Sequence, residues 1–148
     1  MNADFSHHSS LLKLLAIARR NGDSQALALA DLETSRRDAA AALDRLEAAI
    51  RTEEAVALGR TEIGFRDFAG YLAGATAKRA AILASCRTLD EAIAGARARL
   101  KAAEIERKKL EHLVGLAAAG LKKRRDKREG AMLDDAGRRR NARRPQRA

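Results

Sequence analysis

The residues that could carry out catalysis or bind a metal are few and widely separated. The three histidines are His7, His8 and His112, and adjacent residues such as the first two do not share a helix face. The single cysteine, Cys86, excludes an internal disulfide and any cysteine-based zinc site. The ten glycines are scattered singly and form no phosphate-binding loop. We therefore expect no catalytic residue, no cofactor and no metal site, and we do not expect an enzyme.

Positive charge is concentrated toward the C-terminus. The chain has 30 Lys and Arg residues against 20 Asp and Glu, and 12 of the basic residues fall within residues 118–148 with four acidic ones. Such a segment can attract nucleic acid, an acidic protein surface or anionic lipid headgroups, or it can simply be solvated. Nucleic-acid bases usually need an aromatic side chain to stack on, and no aromatic residue follows Tyr71. We expect no specific nucleic-acid partner.

Large apolar side chains cluster at Phe65, Phe68, Tyr71 and Leu72. They could fill space beside a turn, or they could form a patch that binds a partner. Four such side chains over about two helical turns occupy more of the helix surface than one neighbouring helix can cover. The sequence therefore favours a partner-binding patch in which Phe68 and Leu72 are exposed.

The overall composition predicts an all-α protein. Hydrophobic residues make up 46% of the chain and aromatic residues 3%, and half of the hydrophobic residues are alanine. Strong helix formers dominate, and the only proline is Pro145. β-Sandwiches and barrels draw on more aromatic and β-branched residues and are excluded. No transmembrane segment is expected, and a secretion signal is rejected because Lys13 interrupts the first apolar stretch.

Apolar residues recur in two heptad registers. Alternate steps of four and three residues from Leu11 reach Ala57, and ten of the 14 positions visited are apolar. A second register runs from Phe65 to Leu121, with apolar residues at 15 of its 17 positions, Cys86 among them. A sustained repeat of about 3.5 residues predicts a coiled coil, in which this seam stays in contact along both helices.

The heptad phase is lost only between Leu58 and Gly64. A left-handed Gly59 could end one helix there, and Thr61 could cap the next. A short connection makes long helices antiparallel neighbours, so the expected fold is two long helices forming an antiparallel coiled-coil hairpin. It is a single domain over residues 10–137, with helix 1 at about 10–58, a turn at about 59–64 and helix 2 at about 65–137. Residues 1–9 and the basic tail 138–148 are expected to be disordered.

Local features refine this hairpin. Asn21-Gly22 resembles a turn, but the seam phase continues through it and predicts one continuous helix. Beyond about residue 120, helix 2 should extend past the start of helix 1, because a turn centred near residue 61 places Leu11 opposite a residue near 111. The outer face should carry ion pairs between residues four apart, which are Glu33–Arg37, Glu47–Arg51 and Glu104–Lys108.

Four segments of the chain form a recognisable series. They are Leu11-Leu12-x-Leu14-Leu15-x-x-x-Arg19-Arg20, Phe65-x-x-Phe68-x-x-x-Leu72, Glu106-Arg107-Lys108-Lys109-Leu110, and Leu133-Asp134-Asp135 followed by Arg143-Arg144-Pro145. In their order and spacing they resemble the flagellar export protein FliJ family over nearly the whole chain. No single segment is specific by itself. The resemblance implies an antiparallel coiled-coil hairpin similar to the central stalk of rotary ATPases.

The resemblance implies three kinds of partner. The end that carries the termini inserts into the hexameric ring of the flagellar export ATPase, the other end reaches toward the export gate protein in the membrane, and members also bind export chaperones. The residues that match the family's gate-facing stripe are Leu46, Phe68, Leu72, Ala75 and Arg79. The chain departs from some members in its shorter connector and in having Ala49 and Glu53 where they have aromatic residues.

The basic segment fits the ring end of such a stalk, because Lys and Arg can meet acidic loops in a ring channel. The expected ring-binding residues are Lys122, Lys123, Arg124, Arg125 and Arg128. The expected location is the cytoplasm, with peripheral association with the cytoplasmic side of the cell membrane at the flagellar base. Two alternatives stay open: the stalk of an injectisome-type secretion system, and a generic basic coiled coil that binds nucleic acid or a membrane surface.

Overall fold

The computed structural model describes residues 2–59 and 62–142, and the side chains of residues 5–59 and 66–142. It contains two helices, α1 (Asn2–Leu58) and α2 (Glu62–Ala142), which pack against each other as an antiparallel coiled-coil hairpin. The predicted all-α fold class is confirmed. Within the described residues, neither helix has a stretch that is long and apolar enough to cross a bilayer.

The chain divides into two compact units. The terminal unit comprises residues 1–21 and 103–148, and the turn unit comprises residues 22–102. Each unit contains a segment of α1 and a segment of α2.

The buried core is the predicted seam. Nine hydrophobic residues are buried among the described side chains, and every one of them occupies a position of the two heptad registers. Many are alanine, which lets the two backbones approach to the low end of the roughly 8–10 Å range for packed helices. The buried residues are Leu11, Leu15, Ala18 and Ala103 in the terminal unit, and Ala57, Ala75, Cys86, Ile93 and Ala96 in the turn unit.

The helix boundaries differ from the expected ones. α1 begins at Asn2 rather than near residue 10, and α2 runs from Glu62 to Ala142 rather than over about 65–137. Residues 2–9 contain neither Pro nor Gly, so a helix that has formed over the following seam propagates through them. The Ser10 hydroxyl donates to the Ser6 carbonyl at 2.9 Å within this segment. Thr61, the Phe65 side chain and residues 143–148 lie outside the described residues.

Gly59 ends α1 without the left-handed conformation that the sequence predicted. No glycine in the described ranges 2–59 and 62–142 has a positive φ. Instead, the Gly59 N–H donates to the Val56 carbonyl at 3.3 Å, which tightens the last turn of α1. The expectation of a left-handed cap was wrong, because glycine permits that conformation but does not require it.

α1 is continuous through Asn21-Gly22, as the unbroken seam phase predicted. Gly22 is half-buried at a seam position of this continuous helix. Thr88 lies inside α2, and its hydroxyl donates to the Ala84 carbonyl at 3.2 Å.

Replacing Ala96 with Leu should destabilise the hairpin. Ala96 is 0% exposed, so a larger side chain must push the helices apart, at a cost of about 1–3 kcal/mol. The urea midpoint of unfolding, followed by far-UV circular dichroism, measures the effect. The matched control is Ala98→Leu, an exposed position two residues along α2, which should change stability by less than about 0.5 kcal/mol. Equal losses of stability in the two variants would contradict the assignment of Ala96 to the buried seam.

Candidate functional site

The two flanks of the seam differ in chemistry. In the heptad letters used below, the seam residues occupy positions a and d, and positions e and g flank the seam on its two sides. On the e side of the turn unit, arginine side chains bridge the two helices. The pairs are Arg97 Nη2 to Glu33 Oε1 at 2.8 Å, Arg36 Nε to Asp90 Oδ1 at 2.8 Å, and Arg79 Nε to Glu47 Oε1 at 3.0 Å.

These ion pairs fix the alignment of the helices more than they add stability. All of the side chains involved are partly exposed, and exposed pairs contribute roughly 0–1 kcal/mol each. A slip of α2 along α1 by one heptad would break all of them together. The hydrogen bond to Asp90 raises the pKa of Arg36 above its ordinary value.

Two of the expected outer-face ion pairs are replaced by these bridges. Glu33 and Glu47 bind arginines of the opposite helix, not Arg37 and Arg51, and the expectation for them was wrong. Arg37 instead donates to the Glu33 carbonyl at 3.4 Å and to the Thr34 hydroxyl at 3.1 Å. Position e lies at the edge of the seam, within reach of the other helix. The pair Glu104–Lys108 stays a prediction.

The g side of the turn unit carries an open apolar groove instead of ion pairs. Its volume is about 670 Å³. Alanine and glycine residues in its lining leave space that the larger lining side chains, such as Tyr71 and Lys78, do not fill. It is lined by Ala42, Arg45, Leu46 and Ala49 of α1 and by Gly70, Tyr71, Gly74, Ala75, Lys78 and Ile82 of α2.

The structure brings some of the expected gate-binding residues together. Leu46 and Ala75 both line the groove, although Ala75 is only 6% exposed and offers a partner little surface. Phe68 is half-buried and stacks on Tyr71, with ring centroids 6.4 Å apart. Leu72 is 39% exposed despite its seam position.

Arg79 is not among the residues that line the groove. It occupies a seam position and its guanidinium binds Glu47 on the e side. The five expected gate-binding residues therefore all occupy seam positions, and the seam is partly exposed to solvent at Leu72. Tyr71, which the family stripe does not include, is 38% exposed and joins Phe68 to the groove.

The basic segment of the terminal unit is exposed along its whole described length. Every residue from 122 to 142 is exposed, including the expected ring-binding residues. Arg125 Nε lies 3.6 Å from Glu129 Oε1 and 4.0 Å from Asp126 Oδ1, so part of the charge is neutralised within the helix. Arg139 pairs with Asp135 at 2.8 Å in the same way. These positions are accessible to a partner.

The terminal unit also exposes aliphatic side chains that the sequence reading missed. Leu113 and Leu116 line a groove of about 320 Å³ together with His7 and Arg124. The signal was present, because large apolar residues at positions c and g lie outside the seam and cannot be covered by one partner helix. The exposed fractions are 50% for Leu14, 61% for Ile17, 45% for Leu113 and 57% for Leu116.

The ionisable groups do not converge on a chemical site in the part of the chain that the structure describes. No group of three or more His, Cys, Asp or Glu side chains there could hold a metal ion. Cys86 is buried in the seam, and His112 is exposed on α2.

The family model for the flagellar FliJ protein matches residues 7–146. The chain belongs to this family. The match includes both helices, the groove and the basic segment of α2 up to Ala142. No curated protein and no solved structure matches the chain significantly. Membership of the FliJ family makes the chain a coiled-coil component related to flagellar export, and the family is non-catalytic.

Leu72→Ala should change stability far less than Leu15→Ala. Leu72 is 39% exposed and Leu15 is 5% exposed, although both occupy seam positions. We expect a loss of about 2–5 kcal/mol for Leu15→Ala and of less than about 1 kcal/mol for Leu72→Ala. Urea unfolding of the two variants measures the difference. A loss at Leu72 as large as that at Leu15 would show that Leu72 is part of the core rather than an exposed contact residue.

Proposed function

We propose that this FliJ family member is a stalk that links the export ATPase ring to the membrane export gate. The observation that carries the proposal is the family match over residues 7–146, which spans both an exposed basic segment and an apolar groove. A protein that joins two different partners needs two surfaces of different chemistry. The terminal unit and the turn unit each supply one.

The ring-binding surface is the basic segment of α2. Lys122, Lys123, Arg124, Arg125 and Arg128 are exposed and belong to the terminal unit. Lysine and arginine side chains in this setting suit acidic loops that line a ring channel, because opposite potentials steer association and fix orientation. The ring that this segment enters is the hexameric ATPase of the export apparatus.

The gate-binding surface lies in the turn unit. Leu72 and Tyr71 present exposed apolar surface, and Phe68 packs beside them. Leu46 and Ala75 continue this surface into the groove, whereas the Arg79 guanidinium is held by Glu47 on the e side of the seam. Aromatic and aliphatic anchors of this kind dominate the binding energy of protein interfaces.

Export chaperones are the third proposed partner, and family membership supports them. The same membership supports a location in the cytoplasm, at the cytoplasmic side of the cell membrane beneath the flagellum. Genome context tests the choice between a flagellar and an injectisome stalk. We expect the gene to lie beside a flagellar export ATPase gene rather than beside an injectisome one.

Reversing four charges in the basic segment should weaken binding to the ATPase ring and reduce stimulation of ATP hydrolysis. The side chains are exposed, so helicity should be retained. The loss should be larger at low salt, because exposed charges act over a Debye length of about 8 Å at physiological ionic strength. The measurements are ring binding across a salt series and ATPase rate with purified protein. The substitutions are Lys122→Glu, Lys123→Glu, Arg124→Glu and Arg125→Glu.

The matched control changes the net charge by the same amount elsewhere on α2. Its four positions are exposed and lie outside the basic segment, so ring binding should stay close to that of the unmodified chain. If both quadruple variants lose binding equally, net charge alone is responsible and the ring-binding surface is refuted. The control substitutions are Arg66→Glu, Arg87→Glu, Lys101→Glu and Lys108→Glu.

Phe68→Ala combined with Leu72→Ala should reduce binding to the cytoplasmic domain of the gate protein by at least about tenfold and reduce swimming motility. Unfolding should shift only modestly, because Phe68 is half-buried and Leu72 is 39% exposed. Surface plasmon resonance and a motility assay in a strain lacking the native gene measure the two effects. Preserved gate affinity with a large loss of stability would show that these side chains only close the turn end of the hairpin.

A further inference from the structure

The groove of the turn unit extends beyond the residues assigned to gate binding. Four of its lining residues are small, namely Ala42, Ala49, Gly70 and Gly74, and a Cβ added at either glycine would meet nothing within 4 Å. The space above these positions is therefore open. Leu46, Tyr71 and Ile82 supply larger apolar side chains along the same groove.

Two cations line this apolar groove. They are Arg45 of α1 and Lys78 of α2, and no carboxylate is among the described residues that line it. No described residue forms an ion pair with either cation. On the e side, by contrast, Arg36, Arg79 and Arg97 each bind a carboxylate of the opposite helix. Among the described side chains, none thus supplies a paired counter-charge for Arg45 or Lys78.

The dimensions of the groove fit a short helix. Its lining runs from residue 42 to 49 on α1 and from 70 to 82 on α2. At about 1.5 Å per residue these stretches cover roughly 10–18 Å, the length of a helix of about 8–12 residues. The alanine and glycine residues of the lining let the backbone of a third helix approach closely.

We infer that the groove docks an amphipathic helix of an acidic partner protein. Its apolar stripe lies on Leu46, Tyr71 and Ile82, and its Asp or Glu side chains face Arg45 and Lys78. The inference deepens the proposed function and rests on it, because Leu46 and Ala75 belong to both surfaces. It adds the chemistry of the partner, which is a helix with carboxylates beside an apolar stripe.

A second copy of this chain is a poor occupant of the groove. A two-fold contact through the groove would bring Arg45 and Lys78 of one copy close to the same cations of the other. The chain also carries a formal net charge of +10, so two copies repel each other. An acidic partner avoids both the repulsion between groove cations and the repulsion between two positively charged chains.

A designed peptide tests the inference on the full chain. The probe is a fluorescein-labelled helix of about 14 residues with Leu at i, i+3, i+4 and i+7 and Glu on both sides of that stripe. Fluorescence anisotropy at physiological salt should show saturable binding. Arg45→Glu with Lys78→Glu should raise the Kd at least about tenfold. Gly74→Leu, which adds a bulky side chain to the lining of the groove, should remove binding.

Matched variants separate the groove from general effects. Arg87→Glu with Lys101→Glu makes the same change in net charge at exposed positions of α2, and Gly115→Leu makes the same glycine substitution where the added Cβ also meets nothing within 4 Å. Both controls should bind the peptide with an unchanged Kd. A peptide with Lys in place of Glu should bind the Arg45→Glu, Lys78→Glu variant better than it binds the unmodified chain.

Several results would overturn the inference. One is equal affinity for the Glu and Lys peptides, and another is binding of the Glu peptide that survives Gly74→Leu. Self-association of the chain that Gly74→Leu abolishes, seen by sedimentation equilibrium, would make a second copy the occupant. Binding to phosphatidylglycerol vesicles that depends on Arg45 and Lys78, without peptide binding, would make a membrane surface the occupant.

The peptide assay and the gate assay can fail separately. Peptide binding without gate binding leaves the groove assignment standing and refutes the proposed gate partner. Gate binding that requires Phe68 and Leu72 but is indifferent to Gly74→Leu leaves the proposed function standing and refutes the groove as a helix site.

Discussion

The packing of two helices along one narrow seam is the constraint on which the other features depend. Five of its nine buried residues are alanine, which bury little apolar area at each layer. Among the described residues only Ala96 is fully buried, and the other core residues keep 5–9% of their surface exposed. Stability is therefore spread along many thin layers. Each helix needs its partner over its length, because there is no central core to hold a segment that has lost its pairing.

An apolar heptad pattern specifies alignment poorly by itself, because it repeats every seven residues, and the ion pairs on the e side add the missing specificity. The bridges Glu33–Arg97, Asp90–Arg36 and Glu47–Arg79 are satisfied in only one alignment. In the terminal unit the pair between Arg19 of α1 and Glu111 of α2, at 3.4 Å, serves the same purpose. Charges that contribute little to stability thus determine which residues face each other, and so which side chains line the groove.

The sequence predicted the seam residue by residue, because heptad periodicity is a local property of the chain. Ion-pair partners were harder to predict from the sequence. Glu33 has one possible partner on its own helix, Arg37, and another on the opposite helix, Arg97, and the offset between the two helices decides which of them it binds. The ends of α1 were missed for another reason: nothing in residues 2–9 stops a helix, and Gly59 allows more than one way to end it. The groove could not be predicted at all, because it is a space between the two helices that depends on their alignment rather than a pattern within one helix.

The g positions show why the two units suit different partners. In the turn unit they include Ala42 and Ala49, which leave a concave groove. In the terminal unit they include Leu14 and Leu113, which are 50% and 45% exposed and project outward. A concave surface with two cations suits the helix that we propose as its occupant, whereas exposed leucines beside a basic segment suit the proposed ring, which surrounds what it binds. The two surfaces share no residue, so the affinity for one proposed partner can change without altering contacts with the other, provided that the seam between the helices is kept.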